Sequence, residues 1–236
     1  MPHLYDDYTV VAFDRRGHGG SSSAKRYLME DLREDVAAVV REFRLKRPVL
    51  VGHSSGSWDV LSYAANSTDV AAVICLDQAI ATDDPEWRVT YQSDERSLAA
   101  KLAGITDKTS QSRMTLNELM ELLARSDAHY GRSWDVYRPI AMRNIARRSD
   151  AEYELRPYLV DRVLIEHAWS LISQEPYDEI ACPVVVALAQ RNPGPIHEMF
   201  RRLAARRGLE FIMIDSDHDI HVEQPAAVVD LVRRFA

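Results

Sequence analysis

The sequence is short of several features that would place a chain in a special class of protein. Two cysteines among 236 residues are too few for a disulfide framework, and no apolar run reaches membrane-spanning length. The formal net charge is −7, so no basic footprint for nucleic acid is visible. The first residues lack the charged and apolar regions of a signal peptide. These absences favour a cytoplasmic enzyme or binding protein that contacts neither nucleic acid nor membrane.

What the sequence does contain is a regular alternation of strand and helix patterns. Hydrophobic residues make up 46% of the chain, enough for the core of one domain. Helical patterns lie near Leu32 to Phe43, at 195–207 and at 225–235. This alternation predicts a three-layer α/β fold with one parallel sheet. The five predicted strands are apolar runs at 8–13, 49–52, 70–77, 184–189 and 209–215.

One long segment interrupts the alternation. Residues 83–180 are rich in Arg, Met and aromatic residues, have helical patterns and contain no convincing strand. We therefore predict a helical cap at 83–180, inserted into a core formed by residues 1–82 and 181–236.

The stretch "VLVGHSSGSWDVL" at 49–61 has the pattern of a nucleophile elbow. A buried strand runs into Gly-His-Ser-Ser-Gly, and a helix follows. Small residues at Gly52 and Gly56 would let the chain turn sharply and lift the hydroxyl of Ser54 above the sheet. The amide of Ser55, at the helix N-terminus, would then point at an anion forming beside Ser54. An ordinary strand-to-helix turn is the alternative.

A nucleophilic serine needs a base, and His218 in "IDSDHDIHVEQPAAV" follows the last predicted strand. His221 is the competing base, and the pair His218-x-x-His221 could hold a metal; without a third well-placed ligand we predict no metal site. His53 is expected to support the elbow. His197, like His3, His129 and His167, is assigned to packing.

The acid that orients the histidine is predicted to be Asp77. The segment after the fourth predicted strand has Asn192 where many such enzymes carry Asp, and an amide cannot stabilise an imidazolium as a carboxylate does. Asp77 ends the third predicted strand, at the edge where ligand sites of parallel sheets gather. Its alternative is a helix-capping or loop aspartate.

Together these residues resemble the α/β-hydrolase superfamily, and within it the cofactor-independent ring-cleaving dioxygenases of 3-hydroxy-4(1H)-quinolones. Those enzymes also carry the acid after the strand that follows the elbow, as Asp77 does. They share four further short blocks, matched here by Arg15 to Ser21, by the cap segment "YGRSWDVYRPIAMRN" (130–144), by Gln190 and Pro193, and by His218, Glu223 and Pro225.

The sequence also departs from the pattern of these dioxygenases. Tyr130 stands where those enzymes have a cap tryptophan. Their first three strands, and the loop that supplies a second oxyanion donor, have no counterpart here, so the fold is expected to be N-terminally truncated. The strand at 8–13 would then pair directly with 49–52. Only helix 225–235 would cover one sheet face, which a homo-oligomer could shield.

The resemblance makes a cofactor-free dioxygenase of a 3-hydroxy-4-quinolone-like heterocycle the first expectation, with O₂ as co-substrate. His218, paired with Asp77, would deprotonate the heterocycle, and Ser54 would hydrogen-bond it. Expected substrate contacts are Ser55, His53, Tyr130 and Trp134. The alternatives are a serine hydrolase of the esterase type that uses Ser54, His218 and Asp77, and an inactive or ligand-binding protein. None of these readings needs a cofactor.

Overall fold

The computed structural model describes residues 4–91, 100, 114–129, 134–147, 150, 152–155, 159–191 and 194–236. Within these ranges no helix is long and apolar enough to cross a membrane. The chain forms two compact units, one of Met1–Phe13, Met29–Gln92 and Ser170–Ala236, the other of Asp14–Leu28 and Ser93–Trp169. In chain order the elements are α1 (Met29–Glu42), β1 (Val49–His53), α2 (Gly56–Ala64), β2 (Ala72–Leu76), α3 (Pro85–Tyr91), α4 (Leu116–His129), α5 (Trp134–Arg143), β3 (Ile145–Arg147), β4 (Tyr153–Leu155), α6 (Leu159–Ser170), β5 (Val184–Ala189), α7 (Pro195–Arg207), β6 (Glu210–Ile214), α8 (Ile220–Glu223) and α9 (Pro225–Arg233).

The first unit is built on a four-stranded parallel sheet with the order β1-β2-β5-β6. The register pairs Cys75 of β2 with Gly52 on one side and Val186 on the other. Every residue of β2 and β5 is buried. Because successive side chains of a strand point to opposite faces, this burial shows that both faces of the central strands are covered. Four of the five predicted strands are confirmed.

Helices cover the sheet as the sequence predicts. Val229 and Val232 of α9 join Ile74, Leu76 and Val185 in one hydrophobic cluster, so α9 packs on the face these strand residues share. Helix α2 packs against β1 and β2, α1 packs against α2, and α7 packs against β5 and β6. The predicted helices at 195–207 and 225–235 correspond to α7 and α9. The result is the predicted α/β-hydrolase fold.

The predicted first strand, at 8–13, is wrong, and its pairing with β1 is wrong with it. These residues form no strand in the structure, and β1 has β2 as its ladder partner. Residues 8–13 instead line a cavity of about 760 Å³ whose other walls include Val36, Leu50 and Val228. A strand needs a backbone partner as well as apolar side chains. The apolar run satisfies the second condition only.

The second unit contains α4, α5 and α6 together with a short antiparallel pair, β3 and β4. Within it, Asp161 accepts hydrogen bonds from Tyr27 (2.6 Å) and Ser23 (2.7 Å). The expectation that 83–180 holds no strand is therefore wrong, because strands of three residues are too short to show an alternating pattern. The unit takes in residues 14–28 and leaves α3 in the first unit. The predicted core of 1–82 and 181–236 and cap of 83–180 stay predictions.

Candidate active site

Ser54 follows β1 in a tight turn with a left-handed backbone, at φ 52°. Non-glycine residues seldom adopt this conformation, so the surrounding structure must hold it. The amide of Ser54 donates to the Leu76 carbonyl at 2.9 Å, and its own carbonyl accepts from the Ser57 amide at 2.9 Å. These bonds fix the turn between β1 and α2 against the end of β2. The geometry is that of the strained strand-to-helix turn predicted from the sequence.

The two glycines of the elbow are small for different reasons. A Cβ on Gly52 would lie 2.5 Å from the Gly56 carbonyl oxygen and 2.5 Å from the Ser57 amide nitrogen. A Cβ on Gly56 would meet nothing within 4 Å. The prediction that both positions must be small is therefore right for Gly52 and wrong for Gly56, because Gly56 faces open space at the start of α2.

Asp77 occupies the matching position after β2. Its backbone is also left-handed, with φ 57°, a region that aspartate tolerates better than most residues. Its amide donates to the Ala187 carbonyl of β5 at 2.7 Å. Just beyond it, the Ala79 carbonyl accepts a 2.8 Å hydrogen bond from the Trp58 indole of α2. The loop after β2 is therefore fixed on one side by β5 and on the other by the helix of the elbow.

The carboxylate of Asp77 is buried and fully engaged, with its side chain only 3% exposed. Oδ2 lies 2.7 Å from Nδ1 of His218. Oδ1 accepts from the Ala189 amide at 2.8 Å and lies 3.0 Å from Nε2 of His197. Burial alone would raise the pKa of Asp77, but the hydrogen bonds from His197, His218 and Ala189 outweigh it and hold this pKa well below its usual range.

His218 lies in the loop after β6 and faces Asp77, as predicted. Because a carboxylate only accepts, Nδ1 carries the proton of this bond and Nε2 of a neutral ring keeps its lone pair. His53, the residue before Ser54, lies next to His218, and their ring centroids are 4.6 Å apart. Among the described residues no hydrogen bond joins the Ser54 hydroxyl to His218. Such contacts often tighten only when substrate is bound.

His197 is the residue of this site that sequence reasoning missed. It lies in the first turn of α7 and contacts the same carboxylate as His218, from the side of β5. The position of His197 in the sequence could have indicated this contact. A residue three places into the helix after β5 lies near the carboxyl end of a strand that pairs with β2. The assignment to packing overlooked this proximity.

A second group of side chains surrounds His53. Its Nε2 lies 2.9 Å from the His218 carbonyl and 3.7 Å from Oδ1 of Asp219. Its ring centroid is 4.5 Å from that of His221. Burial, followed by repulsion from His221 and His218, lowers the pKa of His53 to about 4, although Asp219 opposes the shift. The structure thus does not present His218 and His221 as a pair, since His218 contacts Asp77 while His221 packs on His53.

The structure describes only some of the other residues that the sequence analysis singled out. Ser55 occupies the N-cap position of α2 with a helical φ of −58°, and its side chain makes no capping hydrogen bond. Trp134 is the first residue of α5 in the second unit and is half-buried. Gln190 follows β5 and is exposed. Its backbone amide donates to the Ile214 carbonyl at 2.8 Å. Tyr130, Asn192 and Pro193 lie outside the described residues, so the roles predicted for them stay predictions.

The fold and this edge of the sheet define the class of protein. A left-handed serine lies between a parallel strand and a helix, and at the same edge of the sheet a buried aspartate contacts a half-buried histidine. This arrangement is typical of α/β-hydrolase proteins. The sequence profile described as "Alpha/beta hydrolase family" matches residues 1–231. The chain belongs to this family.

Individual relatives refine the comparison. The chain is 34% identical over 115 residues to the 2-(acetamidomethylene)succinate hydrolase of Mesorhizobium japonicum, an alignment covering 44% of this chain and 41% of that protein. It is 42% identical over 89 residues to the non-heme chloroperoxidase of Burkholderia pyrrocinia, covering 37% of this chain and 32% of that protein. The chain therefore spans less than half the length of these curated relatives.

Several solved structures share the fold over the whole chain. The crystal structure of E-2-(acetamidomethylene)succinate hydrolase superposes with a TM-score of 0.73, at 20% sequence identity, over 100% of this chain and 84% of that one. Other relatives include a bifunctional esterase/perhydrolase of Acinetobacter calcoaceticus and a karrikin receptor of Petunia hybrida. None of these relatives is named as a quinolone dioxygenase.

Proposed function

We propose that the protein is a serine hydrolase that cleaves an ester or a related acyl bond. Ser54 is the nucleophile, His218 is the general base, and Asp77 orients and stabilises the imidazolium. The observation that carries the proposal is the 2.7 Å contact between Asp77 Oδ2 and His218 Nδ1, beside a serine held in a left-handed turn. The hydrolase names among the relatives support the same reaction class.

The proposed proton path starts from the hydrogen bond between His218 and Asp77. Asp77 holds the Nδ1 proton of His218, so Nε2 accepts the proton of the Ser54 hydroxyl as its oxygen attacks the acyl carbon. His218 then returns this proton to the leaving alcohol, which departs as the acyl-enzyme forms. Water, deprotonated by the same nitrogen, attacks the acyl-enzyme and frees the acid. The buried, charged carboxylate stabilises the imidazolium in both halves of the cycle.

Charge on the substrate oxygen is expected to develop next to α2. The amide of Ser55 follows the nucleophile and belongs to the N-terminus of this helix, where the backbone dipole favours negative charge. In this class of site the amide of that residue is one of two oxyanion donors. Removing one such donor costs about 10²–10³ in rate.

The ring-cleaving dioxygenase is the runner-up. The dioxygenase is favoured by the position of Asp77 after β2, because those enzymes also carry their acid after the strand that follows the elbow. The relatives named as a hydrolase and as an esterase favour acyl hydrolysis over this alternative. The two reactions give Ser54 different tasks, because the hydrolase needs a covalent bond to its oxygen and the dioxygenase needs only a hydrogen bond to substrate.

The test assays the unmodified protein, Ser54→Ala and His218→Ala with p-nitrophenyl acetate and with a 3-hydroxy-4-quinolone, following nitrophenol release and oxygen uptake. The hydrolase predicts ester turnover that both substitutions abolish, with no oxygen uptake. The dioxygenase predicts oxygen uptake that Ser54→Ala lowers by about 1–3 kcal/mol, tenfold to a few hundredfold.

Ser62→Ala is the matched control, since Ser62 lies in α2 and its backbone carbonyl, which alanine retains, accepts the Asn66 amide. This variant should keep full activity. Turnover of neither substrate, with binding retained, would contradict both enzyme readings and favour a ligand-binding protein.

A further inference from the structure

Three side chains next to the proposed catalytic residues have no part in acyl transfer. His53 ends β1, Asp219 follows His218 in the loop after β6, and His221 lies in α8. Each offers one atom that can bind a metal, and these three atoms lie within 4.8 Å of one another. Two imidazoles and a carboxylate thus converge from two separate segments of the chain.

The spacing suits a small divalent ion. Zinc binds imidazole nitrogen and carboxylate oxygen at about 2.0–2.2 Å, so tetrahedral ligand atoms lie roughly 3.4 Å apart. His53 Nε2 and Asp219 Oδ1 are already 3.7 Å apart. The exposed ring of His221 can close the remaining gap, which is at most about 1.4 Å against that ideal, by turning about its side-chain torsions.

The chemistry of the group selects among ions. Two nitrogen ligands and one oxygen ligand suit Zn²⁺ and neighbouring first-row ions, whereas Mg²⁺ and Ca²⁺ prefer oxygen ligands throughout. Catalytic zinc sites commonly use three protein ligands and leave a fourth position to water. Nε2 of His53 lies 2.9 Å from the His218 carbonyl, which accepts its proton. Metal binding at this nitrogen would release that proton and replace the hydrogen bond.

We propose that His53, Asp219 and His221 form a binding site for Zn²⁺ or a similar first-row divalent ion. The ion would join the end of β1 to the loop that carries His218. It goes beyond the hydrolase proposal, because none of its three ligands takes part in acyl transfer. Binding to the folded chain alone would also raise the unfolding temperature.

The site differs from the histidine pair visible in the sequence. His218 and His221 are three residues apart, but His218 is engaged with Asp77. His53, distant in the sequence, takes its place beside His221. The substitution that separates the two arrangements is therefore His218→Ala, which removes a ligand from the sequence pair and none from the proposed site.

The experiment titrates the full-length chain, freed of any polyhistidine tag, with Co²⁺ as the spectroscopic probe and with Zn²⁺ as the competitor. The proposal predicts visible ligand-field bands that saturate at one Co²⁺ per chain and disappear when Zn²⁺ is added. His221→Ala and Asp219→Asn should each weaken Zn²⁺ affinity by about tenfold or more. His218→Ala and the control His167→Ala, in α6, should leave it within about twofold.

Several results would overturn the site. They are the absence of saturable Co²⁺ bands, a Zn²⁺ affinity unchanged in His221→Ala, or a loss of binding in His218→Ala equal to that in His221→Ala. His53→Asn serves as a further ligand variant, since its smaller side chain is still polar beside the His218 carbonyl. Circular dichroism of every variant without metal separates lost ligands from lost folding.

Discussion

Ser54 and Asp77 stand at equivalent places, each just after a neighbouring strand of the sheet and each with a left-handed backbone. Their side chains are treated differently. The Asp77 carboxylate is buried and contacts His218, His197 and the Ala189 amide. Ser54 is half-buried, and the hydrogen bonds that hold its turn are made by its backbone. The same left-handed backbone thus accompanies a fixed carboxylate at Asp77 and an accessible hydroxyl at Ser54.

The difference fits the two proposed tasks. A nucleophile must reach a substrate, so its turn is fixed through the main chain and its oxygen is left accessible. An orienting acid must keep a charge in one place, so its carboxylate needs donors on both oxygens. The last residue of β5 and the first turn of α7 supply two of these donors, on either side of the loop where many such enzymes carry the acid itself.

The largest effect should come from removing the acid. We expect Asp77→Ala to lower kcat by about 10³–10⁴, because His218 loses both its orientation and the charge that stabilises its imidazolium. Ester hydrolysis by the purified variant measures this loss.

Asn192→Ala is the matched comparison, at the alternative acid position, which lies outside the described residues. It should change kcat by less than about threefold, since a neutral amide gives an imidazolium little stabilisation. Equal losses in the two variants would refute the choice of Asp77.

The next effect concerns the turn that carries Ser54. Gly52→Ala should lower the free energy of unfolding by about 3 kcal/mol or more, because its Cβ would lie 2.5 Å from backbone atoms of Gly56 and Ser57. Gly56→Ala, whose Cβ would meet nothing within 4 Å, should leave stability unchanged or raise it by up to about 1 kcal/mol. Urea denaturation of both variants measures the difference, and similar values for the two would contradict this account of the elbow.

A smaller effect should come from removing one hydrogen bond to the Asp77 carboxylate while keeping the carboxylate itself. His197 contacts the carboxylate of Asp77, and we infer that it positions this carboxylate for His218. His197→Ala should lower kcat about tenfold, the value of one hydrogen bond to a charged group, with KM unchanged.

His197→Gln, whose amide can still donate to Asp77, should recover most of this loss. The neighbouring Glu198→Ala, which removes only an exposed ion pair with Arg201, is the control. A loss of thermal stability in His197→Ala with no change in kcat would show that the residue is merely structural.

The smallest effect is on the pH dependence of stability. Hydrogen bonds hold the pKa of Asp77 below the value near 3.8 that it has when unfolded. Its contribution to stability is therefore complete well above pH 3.8 and is lost as the pH falls through that value towards the folded pKa. The free energy of unfolding should fall less steeply below pH 5 in Asp77→Asn than in the unmodified protein. Parallel curves from urea denaturation would contradict the low pKa.

The sequence carries enough information to predict the elements around the site. The strand-to-helix turn at Ser54, the proposed acid Asp77 and the proposed base His218 all follow strands whose buried apolar runs are easy to recognise. Their convergence follows from parallel pairing, because the carboxyl ends of parallel strands share one edge. The contact between Asp77 and His218 therefore follows from strand order together with the choice of a carboxylate over the amide of Asn192.

Other features depend on neighbours that no local pattern records. Residues 8–13 have strand-like side chains, but their pairing required a free backbone partner beside β1. The contact of His197 with Asp77 depends on how α7 begins after β5. The group of His53, Asp219 and His221 joins residues more than 160 positions apart through the packing of β1 against the loop after β6.

The central claim is that Ser54 forms a covalent bond during turnover, and trapping that bond tests it most directly. The protein is treated with a fluorophosphonate, and the site of modification is read by intact-mass and peptide mass spectrometry. The account predicts one phosphonyl group per chain, on Ser54, with ester hydrolysis lost in proportion. Ser54→Ala should take up no label, and His218→Ala should react far more slowly. An unlabelled Ser54 in a protein that still hydrolyses esters, or in one that consumes oxygen with a quinolone, would contradict the proposal.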